Sequence, residues 1–283
     1  MNSKPLCLRR LLALIAIAML FQATASNAAK APAPADEPAS VIGHPWITSQ
    51  PNREPNAYFT NISDGDTRES PFVLRFGLAM RGLVPAGQTA GRAGHHHLLI
   101  NQPLPLDFTK ALPFTDQYIH FGKGQMEAVL NLKPGTYRMS LVLADKAHIP
   151  YFVYSKPLRV TVSKQNPQAT AASVQGPPRV EILSLSDNET VRAPVRIQFH
   201  ASGHNVSHAE PKVVGTGHFR MTLERPGKAA EVLAFVHGQT EVWLNPPIGS
   251  YKVRLDLVSN TDSGVTMATS TPIRLNVVSN SSP

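Results

Sequence analysis

The sequence predicts an all-β protein, two tandem immunoglobulin-like β-sandwich domains after a signal peptide. Three observations carry this expectation. VLRFGL, HHLLIN, EAVLNL, TYRMSLVL and LRVTV are short runs of alternating or β-branched apolar residues, separated by Gly, Pro, Asn and Asp turns such as SDGD and KPGT, and no helical period competes with them. The chain also repeats itself over a long period. Finally, its one cysteine, Cys7, lies near the N-terminus, so the domains must be held by apolar burial rather than disulfides.

The repeat covers nearly the whole of each half. FTNISDGDTRESPFVLRF, from Phe59, aligns without gaps on ILSLSDNETVRAPVRIQF, from Ile182, and the same register brings AGHHHLLI onto TGHFRMTL, from Thr216. After a loop nine residues shorter in the second copy, GQMEAVLNLKPGTYRMSLVL meets GQTEVWLNPPIGSYKVRLDL. Turns and apolar positions both survive, which marks a duplicated unit.

Along the chain, Lys4, Arg9 and Arg10 precede an apolar core from Leu11 to Phe21, and small residues Ser26, Asn27 and Ala28 follow. Residues 1–28 therefore read as a cleaved signal peptide. The apolar run falls short of the roughly 20 residues a membrane span needs, so the mature chain is expected without a transmembrane segment, periplasmic or secreted. Residues 29–42 form an Ala/Pro-rich leader with too few large apolar groups to pack. Residues 43–163 form a histidine-motif β-sandwich, 164–177 a linker, and 178–279 the second β-sandwich. Removing the three signal cations from the formal +8 leaves +5, scattered without a basic run. That distribution excludes nucleic acid as a partner and leaves solubility or weak attraction to an anionic envelope surface.

Strand alternation orients the histidine triplet. In the second copy Phe219, Met221 and Leu223 are the apolar set, so His96, Leu98 and Ile100 face the core of the first, while His95 and His97 face the opposite way. Two imidazoles about 6 to 7 Å apart along a strand face can converge on one metal, copper or zinc by ligand type. His120 and His148 stand at strand ends where the second copy has Ala234 and Asp262, and would complete the site. Gln125 and Glu127 share a face opposite Met126, Ala128 and Leu130. If their strand pairs with the histidine strand, Glu127 would bind or orient an imidazole, with Gln125 and His96 in support. Plainer readings stand beside these. His96 can be a hydrogen-bonded core histidine, His120 and His148 loop residues holding carbonyls, and Gly-Gln-x-Glu a turn motif shared by both copies. His200, His204, His208, His218 and His237 are expected at the surface.

PFVLRFGL, VPAG, GHHHLLIN, HFGKGQMEAVLNLKPGTYRMSLVLAD and AHIPY together resemble a bacterial family, domain of unknown function 4399, from about Phe59 to Val162. Family pattern residues carry over at His95, His96, His97, His120, Gly122, Gly124, Gln125, Glu127 and His148. The chain departs from it with Met126 in place of Thr and without a second histidine near Tyr151. The resemblance implies an exported small β-domain and no particular activity. The second copy resembles a degenerate relative, and the corner after PGTY, with Asp145 and His148, is loosely similar to periplasmic copper-resistance domains.

The expected function is a non-enzymatic binding protein with a copper or zinc site in the first domain. Its rival is a structural or interaction module of the cell envelope that binds glycan or protein partners without metal. No nucleophile elbow, phosphate-cradling loop or cysteine nucleophile supports an enzyme.

Overall fold

The computed structural model describes residues 43–49, 53–104 and 107–279. The signal-peptide and leader expectations lie outside the described residues. In the first repeat the chain forms β1 (Asn56–Phe59), β2 (Thr67–Ser70), β3 (Phe72–Ala79), β4 (His95–Ile100), β5 (Tyr118–Phe121), β6 (Glu127–Leu130), β7 (Gly135–Ala144), β8 (Pro150–Tyr154) and β9 (Leu158–Gln165). After a helical turn, α1 (Ala171–Gln175), the second repeat forms β10 (Arg179–Ile182), β11 (Glu189–Arg192), β12 (Val195–Ser202), β13 (Asn205–Val206) and β14 (Thr216–Glu224). It continues with β15 (Glu231–Phe235), β16 (Glu241–Leu244), β17 (Gly249–Ser259), β18 (Thr266–Thr269) and β19 (Ile273–Val278).

Each repeat is a two-sheet sandwich. A three-stranded sheet, ordered β1-β3-β6 or β10-β12-β16, lies over a larger sheet, ordered β2-β9-β7-β4-β5 or β11-β19-β17-β14-β13. The alternating sequence sets the faces. Phe72, Leu74, Phe76 and Leu78 of β3 are buried at every second position, against Leu98 of β4 and Met139, Leu141 and Leu143 of β7. Such an inward set is what a sandwich core requires.

The outer face of the large sheet is not open in the first repeat. Leu112, from the segment between β4 and β5, packs with Leu99, Val142 and Ala144 in a small second core, joined by Leu104 and Tyr118. The Leu112 N–H donates to the carbonyl of His148 at 2.9 Å and ties this segment down. Both faces of β7 are thus covered, so its last six residues are buried without alternation. The covering segment is the loop that is nine residues longer than its counterpart.

The two repeats share one apolar core cluster. Across their seam Leu83 N–H donates to Gly238 O and Val206 N–H donates to Gly124 O, each at 2.9 Å. Leu83 matches Val206 and Gly124 matches Gly238 in the repeat register, so the exchange is reciprocal, as across an approximate two-fold axis. Gly124 and Gly238 are both at positive φ, and a Cβ there would lie 2.1 Å from Val206 O and 2.3 Å from Leu83 O. The close approach therefore needs glycine twice over. The 164–177 linker carries α1, capped by Thr170, whose hydroxyl accepts the Ser173 N–H at 3.1 Å.

Candidate metal centre

β4 presents His95 and His97 to the covered outer face of the sheet and His96 to the core. His96 is 1 % exposed and meets the Phe76 ring edge-on at 4.9 Å. Its inward direction follows the alternation, but neither ring nitrogen has a hydrogen-bond partner, which corrects the expectation of a hydrogen-bonded core histidine. Burial alone pushes its imidazolium down to about 3.

His95 and His97 are both 0 % exposed, so the face opposite the core is an enclosed one. Their Nε2 atoms are 3.1 Å apart. β5 is the antiparallel neighbour of β4, and its His120 lies directly across from His97. The His120 ring centroid is 4.8 Å from that of His95 and 4.9 Å from that of His97. His148 enters from the turn between β7 and β8, at 4.8 Å from His120 and 5.0 Å from His95. One nitrogen from each of the four rings lies within 4.8 Å of the others. Phe114, from the long β4–β5 segment, meets His120 and His148 edge-on at 5.3 and 4.8 Å and caps the group while staying 65 % exposed itself.

Local sequence explains how the rings are held. A Cβ on Gly122 would lie 2.2 Å from His120 Cε1, so the glycine two residues on makes room for the ring. Gly94 performs a similar service for β4, where a Cβ would meet Ala144 O at 2.3 Å. His148 has φ of 65°, a left-handed conformation uncommon outside glycine. The Asp145 carboxylate stabilises it by accepting the N–H groups of Ala147 at 2.8 Å and Ile149 at 2.9 Å.

The electrostatics disfavour charge on His95, His97 and His120. Burial, followed by repulsion from neighbouring imidazoles, lowers His95 to about 3 and His97 to about 2. His120 is lowered for the same two reasons, burial and His148. Neutral imidazole is the form that binds a metal. Yet His95 Nδ1, His97 Nδ1, His120 Nε2 and His148 Nε2 are all buried without a hydrogen-bond partner. Such orphans are rare and ask for an explanation, an ion among them.

The second repeat is an internal comparison. At the matching positions, His218 Nδ1 is 2.7 Å from Asn260 Oδ1, and Arg220 pairs with Asp256 at 3.1 Å, which also accepts from Thr269 at 2.9 Å. Polar groups there satisfy one another; in the first repeat they do not.

Glu127 lies elsewhere, which corrects its expected place beside the imidazoles. Its strand, β6, pairs with β3 in the opposite sheet, and its carboxylate turns to the seam. There it accepts from Gln175 at 2.8 Å and Ser202 at 2.6 Å, meets His200 Nε2 at 3.1 Å and lies 3.6 Å from Arg75. Burial raises its pKa, but these hydrogen bonds outweigh it and hold the carboxyl below its ordinary value. Gln125 Oε1 accepts the Lys123 N–H at 2.8 Å, and Gln239 Oε1 accepts the His237 N–H at 2.9 Å. Gly-Gln-x-Glu is therefore a shared turn, and Gln125 does not reach the imidazoles.

The second repeat's histidines are not the surface set expected of them. His200 is 0 % exposed, His208 and His237 form a 2.8 Å pair, and His218 is bound to Asn260. Only tertiary packing brings those partners together, so strand periodicity could not reveal them. Among the described residues no helix is long and apolar enough to cross a membrane.

No curated protein sequence matches the chain. Matches among solved structures include the FN1–FN3 domains of chicken CNTN1, with 10 % identity, a TM-score of 0.23, and coverage of 79 % of this chain and 67 % of that one. The two fibronectin type III domain segment from chicken tenascin gives 13 % identity, a TM-score of 0.20, and coverage of 78 % and 96 %. Dimeric latent PorU from Porphyromonas gingivalis gives 10 % identity and a TM-score of 0.28, over 80 % of this chain but 20 % of that one. The family described as Domain of unknown function (DUF4399) matches residues 74–163 and again 197–278, together more than half of the chain. With its histidine motif in the first segment and a second copy of the same unit behind it, this chain belongs to the DUF4399 family.

Proposed function

We propose that the protein is an exported, non-enzymatic metal-binding protein whose first domain holds one copper or zinc ion on His95, His97, His120 and His148. One observation carries this reading. Four converging imidazoles leave four buried nitrogens without partners, while the duplicated copy satisfies the positions of His95 and His97 internally. A tetrahedral zinc ion with Zn–N bonds of about 2.0–2.1 Å needs nitrogens about 3.3–3.4 Å apart; the Nε2 atoms of His95 and His97, 3.1 Å apart, are already near that spacing, and all four ligand nitrogens lie within 4.8 Å of one another. Imidazole is a good ligand for both metals. Four protein ligands fill a tetrahedral shell and leave no position for substrate, which favours holding an ion over catalysis. The periplasmic or secreted location rests on the N-terminal segment and is tested by fractionation with sequencing of the mature terminus, expected at Ala29.

The test is metal analysis and calorimetry on the mature chain and on a His95→Ala/His97→Ala variant. One equivalent of copper or zinc bound by the native chain and lost in the variant is expected. Equal affinity in both would end the metal reading and favour the rival, an envelope module binding glycan or protein partners without metal.

A further inference from the structure

A second cluster lies at the seam between the repeats, on residues other than the four imidazoles. Arg81, Gly82, Arg92, Ala93, His208, His237 and Gln239 help line a cleft of about 410 Å³. The seam itself brings them together. Leu83 N–H donates to Gly238 O, His208 N–H donates to Leu83 O at 2.7 Å, and a Cβ on Gly82 would lie 1.7 Å from His237 O. The Arg81–Leu83 segment is thereby threaded against the His208–His237 pair.

The cleft is rich in unused donors. Arg92 is exposed and makes no hydrogen bond or ion pair among the described residues, and the only hydrogen bond of the Arg81 guanidinium goes to Met80 O at 2.9 Å. Neither guanidinium forms an ion pair among the described residues. Burial and then repulsion from Arg92 lower Arg81 below its ordinary value; Tyr151 and, more weakly, Glu54 oppose this. The histidine pair adds a neutral donor. His208 Nδ1 accepts the Glu210 N–H at 3.2 Å, so the proton of neutral His208 sits on Nε2 and is given to His237 Nδ1. The proton of His237 must then be on Nε2, which is buried without a partner.

The corner related by the repeat is different. In the same register Arg81 corresponds to His204, Arg92 to Gly215, His208 to Pro85 and His237 to Lys123. Only one of the two corners carries both guanidiniums and the imidazole pair. Guanidinium groups in a partly enclosed cleft are suited to the oxygens of phosphate-type anions, which they meet with parallel N–H bonds.

We infer that this cleft is a binding site for a compact phosphate-type oxyanion, held by Arg81 and Arg92 with the His208–His237 pair as a neutral donor. The site is independent of the metal centre. Inorganic phosphate is titrated calorimetrically into the metal-free mature chain, its Arg81→Gln/Arg92→Gln variant and a Lys123→Gln control. Saturable binding of one phosphate per chain is expected. The double variant should weaken it by at least about tenfold, or ~1.4 kcal/mol, and the control should match the native chain. Absence of saturable binding, unchanged affinity in the double variant, or equal weakening by Lys123→Gln overturns the inference. Circular dichroism checks the fold; should the double variant fail to fold, Arg92→Gln alone, at an exposed residue, reads the same effect. A His95→Ala/His97→Ala chain should bind phosphate as the native chain does, so failure of either site is distinguishable from failure of the other.

Discussion

Replacing His97 by leucine should strengthen the metal-free fold while destroying the site, and the two effects can be sized from the structure. His97 is fully buried, its Nδ1 has no partner, and its Nε2 has one hydrogen-bond partner among the described residues, the Nε2 of His95. Losing that hydrogen bond leaves the buried His95 Nε2 unpaired and costs about 1–3 kcal/mol, which offsets the about 1–3 kcal/mol recovered by removing the orphaned His97 Nδ1. A leucine buried against Leu99 and Val142 adds about 1.5–3 kcal/mol. The metal-free variant should therefore gain about 1.5–3 kcal/mol, raising Tm by about 3–12 °C for a unit of this size. A four-ligand zinc site is worth about 10–16 kcal/mol, so one ligand carries roughly 3–4 kcal/mol, about 10²–10³ in affinity. Thermal unfolding with chelator and with excess zinc reads both effects. The variant should melt higher than the native chain in chelator and lose most of the zinc-induced rise. A lower melting point in chelator together with a preserved zinc response would refute the reasoning, because the imidazole would then be stabilising the fold for its own sake.

Acid should weaken the metal-free protein from about pH 6.5 downwards. Unfolded imidazoles protonate near 6.5, whereas His95 and His96 protonate near 3 and His97 near 2 in the fold. Between those limits the unfolded state binds more protons, so stability is full above 6.5 and falls with pH by up to about 1.4 kcal/mol per unit for each imidazole. Urea melts at pH 7, 6 and 5 check this, and a flat profile would contradict it. Asp145→Ala should loosen the turn that holds His148 and reduce metal affinity about 10–100-fold, as removal of a ligand-orienting group does; calorimetry that finds no change denies the turn that role. Glu127→Ala should leave metal affinity unchanged but destabilise the seam by about 1–3 kcal/mol, the cost of leaving the buried His200 and Ser202 without their acceptor, while Arg75 keeps Glu181 at 3.3 Å. Loss of metal affinity in that variant would return Glu127 to the imidazole site.

Much of the site was legible because the chain contains its own control. Phe219, Met221 and Leu223 mark the core face of one copy, and that register alone separates His96 from His95 and His97. The substitutions of His120 and His148 by Ala234 and Asp262 point to the first repeat as the special one. Three features lay beyond that reading for physical reasons. Alternation tells which face a residue takes but not which sheet its strand joins, so Glu127 could not be assigned to the β3 partner. The nine extra residues between β4 and β5 are visible as a length difference, but only packing shows Leu112 and Phe114 closing over the imidazoles. The seam contacts of His200, His208 and His237 join residues far apart in sequence through a close approach that glycines permit, and no local pattern announces them.

X-ray absorption at the metal edge of the loaded mature chain tests the central claim most directly. One ion per chain surrounded by four imidazole nitrogens, at about 2.0–2.1 Å for zinc, is the predicted result. A shell dominated by oxygen, or fewer than two imidazoles around the ion, would contradict it.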